Sequence, residues 1–156
     1  FNLLLADKAK MVYIGNYNKE IGDSPFERFY LGGAGLIGFN IDGRELIAFR
    51  GYEDNSVTPE GGATVFNRFT VELRYPISLN PQATVYVHSF MEAGNSWSSL
   101  RAYNPFGLLR SAGTGVRIFL PMFGLLGIDW GYGFDENPFR PGTNRGRFHF
   151  FIGQQF

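Results

Sequence analysis

Apolar and polar residues alternate with period two along much of the chain, the signature of strands whose two faces meet different surroundings. From Leu126 one face reads Leu126, Ile128, Trp130, Tyr132 and Phe134, while the other reads Gly127, Asp129, Gly131, Gly133 and Asp135. Ala112, Thr114, Val116, Ile118 and Leu120 stand against Ser111, Gly113, Gly115 and Arg117 in the same way. A third strand sets Asn67, Phe69, Val71, Leu73, Tyr75 and Ile77 against Arg68, Thr70, Glu72 and Arg74. A fourth, over 83–94, sets Ala83, Val85, Val87 and Met91 against Thr84, Tyr86, His88, Phe90 and Glu92. The last, over 146–156, places Phe148, Phe150, Ile152 and Phe156 opposite Arg147, His149, Gly153 and Gln155, with Phe151 out of pattern. A further strand is predicted within 3–17, its faces less cleanly sorted.

The connections alternate in length. Pro76–Pro81 and Pro121–Gly124 read as short turns, whereas 95–104 and 135–145 are longer and polar. Short turns at one end and long loops at the other are the habit of outer-membrane barrels. Residues 18–64 interrupt the pattern. They form a glycine-rich stretch too long for a routine connection and too rich in Phe, Tyr, Leu and Ile to be disordered by composition. This stretch is expected to fold back onto the wall, with a small hairpin around Asp42-Gly43.

Alternation alone does not separate a membrane barrel from a soluble sandwich or a lipocalin-like barrel. The polar face decides. It carries glycine together with Arg68, Glu72, Arg74, Glu92, Arg117 and Asp129, whereas a solvated sandwich face is normally poor in glycine. Charges and small residues suit a lumen, and the apolar face then meets lipid. Seventeen Phe and 21 Gly among 156 residues fit that division. No apolar run reaches the length of a transmembrane helix. Six strands fall short of the roughly eight at which bacterial single-chain barrels begin. The reading is therefore an all-β, antiparallel transmembrane barrel wall, either incomplete in itself, which is preferred, or supplemented by a hairpin from the long stretch 18–64. The opening residues, without Met or a signal pattern, read as a fragment or a mature segment.

Composition removes other classes. The formal net charge is zero, with 14 basic and 14 acidic residues, which leaves no nucleic-acid footprint. Cysteine is absent, so no disulfide or thiolate metal site exists. His88 and His149 lie on different strands without metal-ligand spacing, and Gly32-Gly33-Ala34-Gly35 precedes no P-loop Lys. Asp129 and Asp135 read as lumen charges, and Ser111 lacks a partnered base. No enzyme, cofactor or metal is indicated.

Several segments, in order, resemble the bacterial surface antigen family of BamA-type assembly factors. Phe26-Glu27-Arg28-Phe29-Tyr30, followed by Gly32-Gly33, is similar to the lead-in of that family's long extracellular loop. Phe49-Arg50-Gly51-Tyr52 is similar to its Val-Arg-Gly-Phe loop tip, with Tyr52 in place of Phe. Phe90–Asn95, Ser111–Arg117 and the final Phe148–Phe156 resemble its strand motifs. The stretch 34–48 is longer than the family's usual gap between the two loop motifs.

The resemblance implies that the chain is the C-terminal part of a sixteen-stranded barrel, with 18–64 the loop that enters the lumen and 146–156 the last strand and assembly signal. It implies an outer-membrane factor that folds and inserts barrel proteins through a lateral seam at the final strand. Its partners would be outer-membrane lipid, unfolded outer-membrane proteins, periplasmic chaperones and accessory lipoproteins. A two-partner secretion transporter or other pore of the same superfamily is the alternative, and a barrel carrying a lipase or adhesin domain is a third. An Arg50 drawn into the lumen needs carboxylates, and Glu72 and Glu92 on the next two strands are the candidates. Phe148, Phe150, Ile152, Gly153 and Phe156 would form the seam and signal. Gly153 either weakens the strand or makes room for a lumen neighbour.

Overall fold

The computed structural model describes residues 3–15, 28–33 and 45–153. Phe26, Glu27, the Asp42-Gly43 turn and Phe156 lie outside the described residues. Six strands form one antiparallel sheet: β1 (Leu4–Tyr13), β4 (Val65–Asn80), β5 (Ala83–Trp97), β6 (Leu109–Leu120), β7 (Gly124–Gly133) and β8 (Arg147–Gly153), in the order β1-β4-β5-β6-β7-β8. Two short strands, β2 (Phe29–Leu31) and β3 (Glu45–Ile47), pair in parallel and belong to the long loop.

Period two becomes burial. Phe69, Val71, Leu73, Tyr75 and Ile77 stand exposed on one face of β4, while Thr70 is buried on the other. At β8 the apolar positions are the more open, Phe148 at 66%, Phe150 at 59% and Ile152 at 73% exposure. So large a continuous apolar surface is not kept against water by a monomeric soluble protein. We call this the outer face. The inner face is the one the loop covers, and it holds Thr70, His88, Phe90, Glu92, Ser111, Arg117, Asp129 and His149, all buried.

One expected turn is a strand. β4 runs through Pro76 to Asn80, and the chain reverses at 81–82. Among the described residues β1 pairs with β4 only as far as Arg74, so Pro76 is bonded to β5 alone, and a proline is tolerated at such an edge or at a bulge. The β4–β5 register indeed shifts between Pro76 and Ser78. A second departure concerns Asn67, a polar residue on the outward-pointing series that is nonetheless buried. The loop after β5 covers it: Tyr103 packs edge-on to Trp97, with ring centroids 4.8 Å apart, and meets the Asn67 amide through its hydroxyl.

The loop has a core of its own. Phe29, Leu31, Ile47, Phe49, Tyr52, Val57 and Ala63 cluster with Phe66 and Leu109 of the wall, and Val12 and Ile14 pack against them. Phe29 meets Phe66 edge-on at 4.7 Å, and Phe49 stacks on Tyr52 at 5.0 Å. Each fully buried aliphatic or Phe side chain contributes roughly 1.5–3 kcal/mol. That sum is what holds a long connection against the sheet.

Candidate functional site

The loop crosses the inner face at Phe49-Arg50-Gly51-Tyr52, and the wall beneath is built of residues that leave room. Gly131 and Gly133 on β7 lie directly under Gly51: a Cβ on Gly131 would stand 2.8 Å from the Gly51 nitrogen, and one on Gly133 2.8 Å from the Gly51 oxygen. Gly51 adopts φ +87°, a conformation in which a side chain is strained. The lumen glycines of the sequence pattern thus let backbone lie on backbone.

Arg50 then reaches three strands. Its backbone N–H donates to Glu92 Oε2 at 2.8 Å, its Nε to Glu92 Oε1 at 3.1 Å and its Nη2 to Glu92 Oε1 at 2.7 Å. Nη1 donates to Glu72 Oε1 and to Asp129 Oδ2, each at 3.0 Å. The guanidinium also lies 3.6 Å from the centroid of the Phe90 ring. Both carboxylates expected from the sequence therefore bond Arg50, and Asp129 of β7 is a third.

Around this centre the charges balance. Arg117 binds Asp129 through both guanidinium nitrogens, with Nη2 at 2.6 Å from Oδ2, and lies 4.1 Å from the centroid of the Phe151 ring. Phe151, out of pattern in the sequence, is thereby the inner-face partner of a buried cation. Arg74 donates from Nε and Nη2 to Glu72 Oε2 at 3.0 and 2.7 Å. His88 Nε2 stands 3.1 Å from Asp129 Oδ1. Three guanidinium groups face three carboxylates in these contacts, so their formal charges cancel. Burying charge is costly unless each group is paired, and here each is. Among the described residues no group of three or more His, Cys, Asp or Glu is placed to hold a metal. The arrangement ties the loop tip to the wall through paired, buried charges.

Tyr52 uses the hydroxyl that distinguishes it from Phe. It donates to the carbonyl oxygens of Arg110 at 3.0 Å and Asp135 at 3.1 Å, joining the start of β6 to the segment after β7. Burial pushes its phenol up to about 12. Alongside, Arg110 donates from Nε and Nη2 to Asp135 at 3.0 and 2.8 Å. These bonds hold the Asp135 carboxyl below the usual carboxylate range.

The lead-in residues are divided in their tasks. Phe29 enters the core, and Arg28 and Tyr30 flank Gly62. Gly32 (φ +138°) and Gly33 (φ +72°) press against Glu53–Ser56 so closely that a Cβ on Gly33 would overlap the Asp54 carboxylate. On β8, Phe148, Phe150 and Ile152 point outward, and a Cβ on Gly153 would meet nothing within 4 Å. Sequence reasoning did not link Asp129, His88, Arg117 or His149 to the loop, although their parity places them on the inner face. It missed Ser96 and Asn137 as well, which take the loop carbonyls of Val57 (2.6 Å) and Ser56 (2.8 Å).

A six-stranded antiparallel wall, apolar outside and with a loop ion-paired to its inner face, agrees with what family comparison finds. The family model of the Omp85 superfamily domain matches residues 2–156. The chain belongs to the Omp85 superfamily. No curated protein matches it. For this Omp85 chain, membership identifies the sheet as part of a β-barrel of the kind that serves protein transport and assembly. The Arg50 anchor is thus a contact between a barrel wall and the long loop that covers one of its faces.

Proposed function

We propose that this Omp85 chain is the C-terminal barrel wall of an outer-membrane assembly factor, which folds and inserts β-barrel proteins through a lateral seam at β8. The observation that carries the proposal is the loop tip, anchored through Arg50 to Glu72, Glu92 and Asp129 on three strands of the wall. A tip held to β4, β5 and β7 occupies the interior, which an open passive pore does not need. It also stiffens the wall next to β8, which pairs with β7 along Leu125–Gly131 and whose far edge forms the seam in this reading. An edge strand is a template for another strand. In hydrocarbon each unpaired backbone group costs several kcal/mol, so an incoming strand supplies its own driving force and no nucleotide is needed. The partners of this reading are outer-membrane lipid, unfolded barrel proteins, and the periplasmic chaperones and accessory lipoproteins that deliver them.

The test is reconstitution. The full-length protein, placed in liposomes, is given urea-denatured barrel proteins, and their folding is read from heat-modifiable migration in gels. Accelerated folding of several unrelated barrels is expected, with Arg50→Ala slower. Export of one cognate soluble partner with no effect on barrel folding would replace this reading by a two-partner secretion transporter.

A further inference from the structure

β8 has its own connection to the loop, independent of Arg50. The Gly51 N–H donates to His149 Nε2 at 3.0 Å, both groups being buried. Two residues earlier on the same face of β8, Arg147 Nη2 lies 3.7 Å from Glu53 Oε2 of the loop. The Gly51 bond sets the chemistry of the imidazole. Nε2 accepts only when it bears no proton, so the ring must be neutral with its hydrogen on Nδ1. A second proton would turn Nε2 into a donor facing a donor, and the bond would be lost.

We infer that His149 is a protonation-sensitive clasp, a positioning residue that ties the loop tip to the last strand and releases it in acid. The groups around the ring come from every neighbouring element. Arg50 and Asp54 face it from the loop, Glu92 from β5 and Asp129 from β7, while Arg117 of β6 is occupied by Asp129. Arg50 remains ion-paired to Glu72, Glu92 and Asp129 when His149 gains its proton, because none of those bonds passes through the imidazole. Acid therefore breaks the bond between Gly51 and β8 while Arg50 stays on β4, β5 and β7, leaving the half-exposed Arg147–Glu53 pair as the remaining link from the loop to β8. The clasp exists whatever the protein transports. That its release loosens the seam rests on the assembly reading.

Hydrogen–deuterium exchange on the full-length protein in lipid nanodiscs tests it, following the peptide that contains Gly51. His149→Gln supplies a side-chain oxygen near the place of Nε2 and does not titrate, and His149→Leu supplies no acceptor. Comparing variants at one pH cancels the intrinsic pH dependence of exchange. At about pH 7.5 the wild type should be as protected as His149→Gln; at about pH 4 it should exchange about fivefold faster, the loss of one hydrogen bond. His149→Leu should be fast at both. Equal exchange of the wild type and the Gln variant at both pH values, or full protection in His149→Leu, would overturn the clasp. Nitrogen-15 spectra of the histidine-labelled wild type give an answer without variants: a proton on His149 Nε2 at about pH 7.5 is incompatible with it. Insertion is measured separately. If no variant inserts barrels at either pH, the assembly reading fails, and the exchange pattern still decides the clasp.

Discussion

Glu72 and Glu92 both bind Arg50, yet neutralising them should have unequal consequences. Glu92 takes three bonds from Arg50, counting the backbone N–H, and its side chain is 1% exposed. Glu72 takes one, shares its other oxygen with Arg74, and is 14% exposed. Glu92→Gln leaves the buried cluster with one uncompensated positive charge and turns an amide NH2 or a weaker acceptor toward Arg50. Breaking a buried pair from one side costs about 3–5 kcal/mol. Glu72→Gln leaves Arg50 with Glu92 and Asp129, and the Arg74 it frees is 27% exposed and can hydrate. Partial solvation lowers that cost to about 1–2 kcal/mol. The assay is urea unfolding of the full-length protein in lipid, read by tryptophan fluorescence, with the midpoint compared at constant slope. A Glu72→Gln loss equal to or larger than that of Glu92→Gln would refute the hierarchy, and with it the view that Glu92 is the principal anchor.

Three more outcomes are expected. Tyr52→Phe keeps the stack on Phe49 but abandons two carbonyls, and should cost about 1 kcal/mol; an unchanged or higher unfolding midpoint would count against the hydroxyl's role. Because Arg110 lowers the folded-state pKa of Asp135, their contact contributes stability above the usual carboxylate pKa of about 4 and loses it as pH falls below that value. Proteolysis of the 134–146 segment should accordingly stay slow down to about pH 4 in wild type and be fast at neutral pH in Asp135→Asn; opening of the wild type at pH 5–6 would contradict this. Gly131→Ala should cost about 1–3 kcal/mol, because its Cβ would stand 2.8 Å from the Gly51 nitrogen, whereas Gly153→Ala meets nothing and should be near neutral; equal midpoints for the two variants would remove the steric argument.

The wall was readable from the sequence because it obeys one periodicity: the residues from Leu126 to Phe134 sort by parity, and the sheet keeps that sorting. Parity also placed Glu72, Glu92, Arg117, Asp129 and His149 on one face. It could not say which of them meet Arg50. That depends on how far the loop travels and on the register of β7, which joins Arg50 to an aspartate 79 positions away. Pro76 misled because a proline beside polar residues usually marks a turn, and the bulge that accommodates it is a property of the paired strands. Asn67 was unreadable for a related reason: its cover, Tyr103, arrives from a loop with no periodicity. Asn137 and Ser96, which hold loop carbonyls, carry no motif at all.

The glycine floor has one further consequence, and it concerns thickness. Under the loop tip the wall is a single peptide layer, with Gly51 against the backbone of Tyr132 and Gly133 on one side and the rings of Trp130 and Tyr132 exposed on the other. At Gly131 and Gly133 no side chain stands between the two surfaces, and Ser111 flanks them. A displacement of the tip is therefore transmitted to the outward rings through the backbone itself, as pressure on one side of a membrane panel is felt on the other. The loop tip and the outward rings share one strand at this point, and a fluorophore already sits there in Trp130.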